Sequence, residues 1–347
     1  MSTAETTPND PVYFSAWRSI STPKSAWIRM AAYLGGVVLG LVLLIAAWAK
    51  ALDPIAFAKE IQGYGLDFLL PAAAVAMIAL ALEVFLGGAL VLGIRRLEIL
   101  IPSAILVVFF LFLTGRNYYQ DMQGTLAKDT SCGCFGNLVE RTPAEAFWQD
   151  LFLMVPALLL AFVARSSGGP WPKFRSALVG LATLGILFLG WKAPELPLDN
   201  LATRLKPGVN ALEICAGRED QGSRACMSDV IPEIGQGEHV LVIADLEDEA
   251  FTGAVEQLNE YQWSGSGPKL WTLHSASEEV VFQFQFGVGP AFDMRETPAP
   301  LLRPLYRTLP RSFTVRDGKV LQTWSGLPPF DQLTEAVQTA DTAHTGR

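Results

Sequence analysis

The sequence predicts two folds in series: an all-α membrane bundle of about four to five helices, then a soluble α/β domain. Three observations carry this. Half of the 347 residues are hydrophobic and only 17% are charged, with a mean hydropathy of +0.30, more apolar than soluble domains average. The excess is uneven, because nearly continuous apolar runs stop near residue 192 and ordinary soluble composition follows. Beyond that change, short strand-like runs replace the long ones.

Each long run is matched to the roughly 30 Å hydrocarbon core at about 1.5 Å per helical residue. Residues 1–29 are polar, carry Arg18, Lys24 and Arg29, and read as a cytoplasmic N-terminal segment. The membrane domain covers 30–192, with spans expected at about 31–49, 69–93, 99–115, 144–164 and 175–191. Ala47-Trp48-Ala49 resembles a signal-peptidase site, but the run is longer than a signal core and more spans follow, so an uncleaved helix is expected. Trp48, Trp148, Trp171 and Trp191 fall at span ends and suit an interfacial belt. Asp150, early in the fourth span, is expected near the interface and solvated.

Orientation follows from basic residues. Arg18, Lys24, Arg29, Arg95, Arg96, Arg165, Lys173 and Arg175 fall on one side, and the smaller set Lys50, Lys59, Arg116, Lys128 and Arg141 on the other. The positive-inside rule then makes the N-terminus cytoplasmic and puts the 116–143 loop and the C-terminal domain outside. A bacterial inner membrane with a periplasmic C-terminal domain is the expected location. The net charge of -8, with no basic stripe, argues against a nucleic-acid partner.

The outer loop holds the most informative stretch, Ser131-Cys132-Gly133-Cys134-Phe135-Gly136. Two cysteines one glycine apart can close a tight ring, and strained or exposed disulfides are the exchangeable ones. Zinc is a weaker reading, because a site wants about four ligands and His239, His274 and His344 lie far away in sequence; no metal is expected. Two independent structural cysteines are the plain alternative. Of the other two cysteines, Cys215 and Cys226 flank a polar, glycine-containing loop and suit a structural disulfide, or a relay with Cys132 and Cys134. Arg116 and Arg141 flank the dithiol loop and would lower a cysteine pKa if they approach it. Glu83 lies well inside the second span, where a bare carboxylate is expensive. It is a candidate proton acceptor in electron transfer to a quinone, or a hydrogen-bond partner for a neighbouring helix.

Residues 193–207 read as a linker and 208–340 as the soluble domain. His239–Ala244 is a buried-strand pattern, 249–261 an amphipathic helix, and 269–273 a second strand. Residues 312–315 and 320–324 form a hairpin about Arg316-Asp317-Gly318-Lys319, and a terminal helix is expected over about 331–339. Strand, helix, strand, hairpin, helix is the thioredoxin order, and Leu309-Pro310 sits where that fold keeps its cis-proline. Where an active thioredoxin carries Cys-x-x-Cys, this chain reads Asp245-Leu246-Glu247-Asp248, which supplies no thiolate.

Several motifs carry a family resemblance over about 30–165. They are Trp48-Ala49-Lys50-Ala51-Leu52-Asp53-Pro54 with Phe57-Ala58, Leu70-Pro71, Glu83 before Gly87-Gly88, and Cys132-Gly133-Cys134-Phe135-Gly136. This half resembles the methylamine-utilisation MauE family and related DoxX-like membrane proteins. The C-terminal part resembles thioredoxin-like domains fused behind such bundles. The resemblance implies a role in periplasmic disulfide formation beside a thioredoxin-like partner, with Cys132 and Cys134 as the redox pair and Glu83 supporting the site. Periplasmic protein thiols or disulfides are the implied partners, and a quinone the candidate onward carrier. A non-catalytic assembly subunit of a larger membrane complex, with the thioredoxin-like domain as a docking module, is the alternative. A quinone-linked sulfur oxidoreductase subunit is a third reading.

Overall fold

Apolar runs that cannot hydrogen-bond to lipid must satisfy their own backbone, and here they do so as helices. A computed structural model describes residues 26–68, 70–124, 141–163, 165, 172–217, 224–265, 267–330 and 333. Five of its helices are long and apolar enough to cross a membrane: α1 (Ala26–Leu52), α3 (Ala72–Val91), α4 (Leu97–Met122), α5 (Pro143–Val163) and α6 (Lys173–Lys192). This is a membrane protein. A short helix, α2 (Pro54–Gly63), follows α1 almost without pause. Helix α4 runs a full turn and more past the expected end at 115, carrying Tyr118 and Tyr119 beyond the apolar stretch.

The bundle closes where side chains are smallest. A Cβ on Gly40 would lie 2.6 Å from the Gly87 carbonyl oxygen, and one on Gly35 would lie 2.9 Å from that of Ala157. Backbones of α1, α3 and α5 therefore approach closely, the usual way helices associate in lipid. Leu39, Leu43, Leu86, Leu90, Leu100, Val107, Met154 and Ala161 form the buried seam. At one end, Arg95 stacks on Tyr33 at 4.2 Å and Arg175 donates to the Leu92 carbonyl at 3.1 Å. Successive spans alternate direction, so Leu52, Ala72, Met122, Pro143 and Lys192 lie at the other end, from which the soluble domain departs.

The soluble domain contains α7 (Asp199–Ala202), β1 (Cys215–Ala216), β2 (Ala225–Cys226), α8 (Met227–Val230), β3 (Glu238–Ile243), α9 (Glu249–Thr252), α10 (Val255–Ser264), β4 (Lys269–His274), α11 (Glu278–Val288), β5 (Asp293–Glu296), α12 (Ala299–Leu302), β6 (Arg311–Arg316) and β7 (Lys319–Ser325). The main sheet runs β5-β4-β3-β6-β7; β3, β4 and β5 are parallel, while β6 is antiparallel to both β3 and β7. Strand alternation divides the core. Leu241, Ile243, Trp271, Leu273, Phe313 and Val315 face Leu205, Met227, Ile231 and Leu302, whereas Val240, Val242 and Leu270 face Phe251, Leu258 and Phe284. A central strand covered on both faces, a hairpin after a cis-proline, and this strand order make the domain thioredoxin-like.

The hairpin turns at Asp317 (φ 50°) and Gly318 (φ 79°), two left-handed positions that suit an Asp-Gly turn. The helix expected over 249–261 is broken into α9 and α10 at Gly253 and Ala254, because Asp248 caps a first short turn before the apolar face resumes at Val255. Residues 193–207 are not a loose connector, since Ala193 and Leu205 are fully buried. The expected terminal helix, apart from Leu333, lies outside the described residues, as do Cys132, Cys134 and Trp171.

Candidate functional site at the domain-facing end of the bundle

The Trp-Ala-Lys-Ala-Leu-Asp-Pro stretch makes a helix stop and restart. Pro54 pushes Asp53 out of helical geometry (φ -136°, ψ 73°), and the Asp53 carboxylate accepts the Ala56 amide at 3.0 Å to cap α2. Lys50 is thereby fixed in the last turn of α1, aimed back into the bundle. It forms an ion pair with Glu83 of α3, and both side chains are almost wholly buried. Phe57 of α2 and Phe110 of α4 present ring faces 5.1 and 4.9 Å from the Lys50 ammonium. Four helices thus meet on one charge.

A second buried ion pair joins the segment before α5 to that helix. Arg141, seven residues after Cys134, reaches Asp150 of α5 at 3.0 Å. Asp150 is only 3% exposed, which corrects the expectation of a solvated residue at the interface: the helix turns it inward toward Arg141. Lys50 also acts electrostatically on Asp150. Asn117 of α4 donates to the Tyr64 hydroxyl at 2.7 Å, tying the segment after α2 to the same end. Glu83, Lys50, Asp150 and Arg141 therefore alternate in charge from the second span to the foot of the Cys-Gly-Cys loop.

Facing this end is the edge of the soluble domain that holds the cis peptide Leu309-Pro310. Arg307 donates to the carbonyls of Ala193 (2.6 Å) and Leu196 (3.2 Å), just beyond α6. Arg311, opposite Ile243 in the sheet and 1% exposed, pairs with Asp199 at 3.0 Å, while Asp199 accepts from Ser325. Burial raises the Asp53 carboxyl pKa, opposed first by the Ala56 amide and then by Arg307. Burial lowers that of Arg311, opposed by Asp199. Arg307 thus ties the cis-proline edge to the chain just past α6, at the end of the bundle from which the soluble domain departs.

At the same edge, Asp245 accepts the Glu247 amide and Asp248 caps α9. These acidic residues hold a turn and helix start where a thiol pair would stand, so this loop performs no thiol chemistry. Cys215 and Cys226 face each other across β1 and β2 and form a disulfide, half-buried beside the core residues Ile214, Ala216 and Met227. Of the sequence candidates, the structure pairs Glu83 with Lys50, joins Cys215 to Cys226 and makes Leu309-Pro310 a cis peptide. Lys50 escaped the sequence reading of the site. The signal was available, since a lysine one turn inside a span needs a partner and the second span offers one acid.

Residues 28–163, which take in the first four spans, match the family model of the methylamine utilisation protein MauE. Solved structures similar to the C-terminal part include three thiol- or peroxide-linked proteins. The thioredoxin domain of a thiol-disulfide oxidoreductase from Bacteroides vulgatus has 11% identity and a TM-score of 0.30, with 39% of this chain and 97% of that one covered. A secreted Mycobacterium tuberculosis disulfide oxidoreductase homologous to Escherichia coli DsbE has 12% identity and a TM-score of 0.28, covering 37% and 97%. Xanthomonas campestris peroxiredoxin Q has 14% identity and a TM-score of 0.28, covering 40% and 97%. No curated protein matches the chain.

Proposed function

We propose that the protein is a thiol–disulfide redox protein of the bacterial inner membrane, with the N-terminus cytoplasmic and the C-terminal domain in the periplasm. Cys132 and Cys134 are the exchanging pair. A substrate thiolate attacks their disulfide, or a thiolate of theirs attacks a substrate disulfide, through a mixed disulfide. The thioredoxin-like domain contributes a docking edge rather than a nucleophile, and a quinone takes the electrons onward. One observation carries this reading: the ends of α4 and α5 that flank the dithiol loop lie at the end of the bundle where Arg307 ties the cis-proline edge to the chain just past α6. A substrate segment on that edge is held beside the loop.

The test is trapping. Cys134→Ser leaves Cys132 without its resolving partner, and non-reducing mass spectrometry of native membranes is expected to show it in a mixed disulfide with a periplasmic protein. A chain that traps nothing as either single variant, and whose loss leaves envelope thiols unchanged, contradicts the proposal. A second reading is favoured by the acidic loop at 245–248: a non-catalytic subunit docking a complex through its thioredoxin-like domain. Stoichiometric copurification of one partner, independent of all four cysteines, supports that reading.

A further inference from the structure

The buried charges of the bundle exceed what packing needs. Glu83 is 0% exposed, and its second oxygen, Oε2, has no hydrogen-bond partner among the described residues. Asp150 is 3% exposed, and its Oδ2 is in the same position. Unsatisfied buried oxygens cost about 1–3 kcal/mol each, more when charged, and each such group calls for an explanation. A carboxylate oxygen lacking a donor is a place for a proton.

The surroundings restrict what else these oxygens can serve. Glu83 is met by Lys50 of α1, and the turns of α1 and α3 that carry the pair pack Ala47, Ala51, Leu80 and Val84 into an aliphatic cluster with Ile186 and Leu189 of α6. Helices α2 and α4 contribute the rings of Phe57 and Phe110 over the ammonium. From α5 the charged neighbour of Lys50 is Asp150, and Arg141 holds the other side of Asp150. Among the described residues no group of three metal-ligating side chains is present. What remains is an alternating row of charge whose last member, Arg141, lies two residues before α5.

Resting on the redox reading above, we infer that Glu83, paired with Lys50 and continued by Asp150 and Arg141, is a proton-holding site for discharge of the dithiol to a quinone. When the reduced pair is reoxidised, two S–H bonds break, one S–S bond forms, and two electrons and two protons pass to the two oxygens of the quinone. Glu83 and Asp150 hold a proton in transit on their unpartnered oxygens, and Lys50 keeps the two carboxylates from repelling. Arg141, ion-paired with Asp150 at 3.0 Å, positions that carboxylate.

The test uses the full chain in lipid nanodiscs, poised oxidised and reduced, with a short-chain benzoquinone as acceptor. Redox-induced infrared difference spectra are expected to show a carboxylic-acid carbonyl band that disappears in Glu83→Gln and in the Cys132→Ser/Cys134→Ser double variant. Because Glu83→Gln leaves Lys50 buried, the neutral pair Lys50→Met/Glu83→Gln is measured too. Its quinone-driven dithiol oxidation, relative to its exchange with dithiothreitol, which needs no net proton movement, should fall at least about tenfold, the lower reach of general acid–base catalysis. A dithiol that cycles with no Glu83-dependent band and an unchanged rate ratio overturns this inference and leaves the redox reading intact. A dithiol that never cycles overturns both.

Discussion

The chain buries charge in two places, inside the bundle at Lys50–Glu83 and at the domain junction at Arg311–Asp199, and the two are built differently. The bundle pair sits among aliphatic and aromatic side chains, both partners almost fully buried. At the junction, Arg311 is buried but the Asp199 side chain keeps 11% exposure, accepts from Ser325, and lies beside Asn200, which accepts from Thr323. The second arrangement suits an anchor, an ion pair with one further hydrogen bond from Ser325 and a partly exposed carboxylate. The first resembles a functional site, because charge in hydrocarbon is costly unless used.

Breaking the bundle pair should have the largest effect. Lys50→Ala leaves the Glu83 carboxylate without its cation and is expected to lose about 3–5 kcal/mol, read as a lower melting temperature in mild detergent. Lys50→Met/Glu83→Gln should recover most of it. If both variants are equally damaged, packing rather than charge governs the site, and the contrast with the junction fails.

The soluble half depends more on a covalent tie. Cys215→Ala/Cys226→Ala opens a loop spanning 11 residues of sequence and should cost about 3 kcal/mol in the chain-entropy model, measured by thermal unfolding. Oxidation of Cys132 and Cys134 should continue in that variant if the disulfide is structural; arrested cycling would make it a relay. At the junction, Asp199→Asn keeps the shape but removes the charge facing Arg311, for an expected loss of about 1–3 kcal/mol. Its sharper signature is faster proteolysis between 192 and 205, since the rim charge holds the domain in place.

The smallest effect is in pH. Burial of His274 lowers its pKa below the usual 6.5, with Glu296 opposing. As pH falls below 6.5 the unfolded chain takes up a proton that the folded domain refuses, so stability present above that value is lost downward until the folded pKa is reached. His274→Gln should flatten this dependence, with a change in melting temperature smaller than that from opening the disulfide.

Much of the architecture was legible because periodicity and length are strong signals. The five spans, β3, β4, the Asp317-Gly318 hairpin and Pro310 could all be placed from residues alone. Glu83 was legible as an anomaly, since an acid deep in an apolar run has few benign explanations. Its partner was not read, because the reach of Lys50 depends on the helical phase of two spans. Asp150 was misread for a related reason: near a span start, sequence does not distinguish the inward face from the wet one. β5 reads Asp-Met-Arg-Glu and lacks any apolar alternation, while Arg311 is a charged residue buried only because a distant aspartate meets it.

The account rests on Cys132 and Cys134 being a cycling pair on the same side of the membrane as the thioredoxin-like domain. The direct measurement is differential alkylation of intact cells with a membrane-impermeant maleimide, before and after a quinone-site inhibitor. The account predicts that both cysteines are reached from outside and shift from mainly oxidised to mainly reduced when the inhibitor is added. Cysteines reached only after lysis, or held in one oxidation state under both conditions, would contradict it.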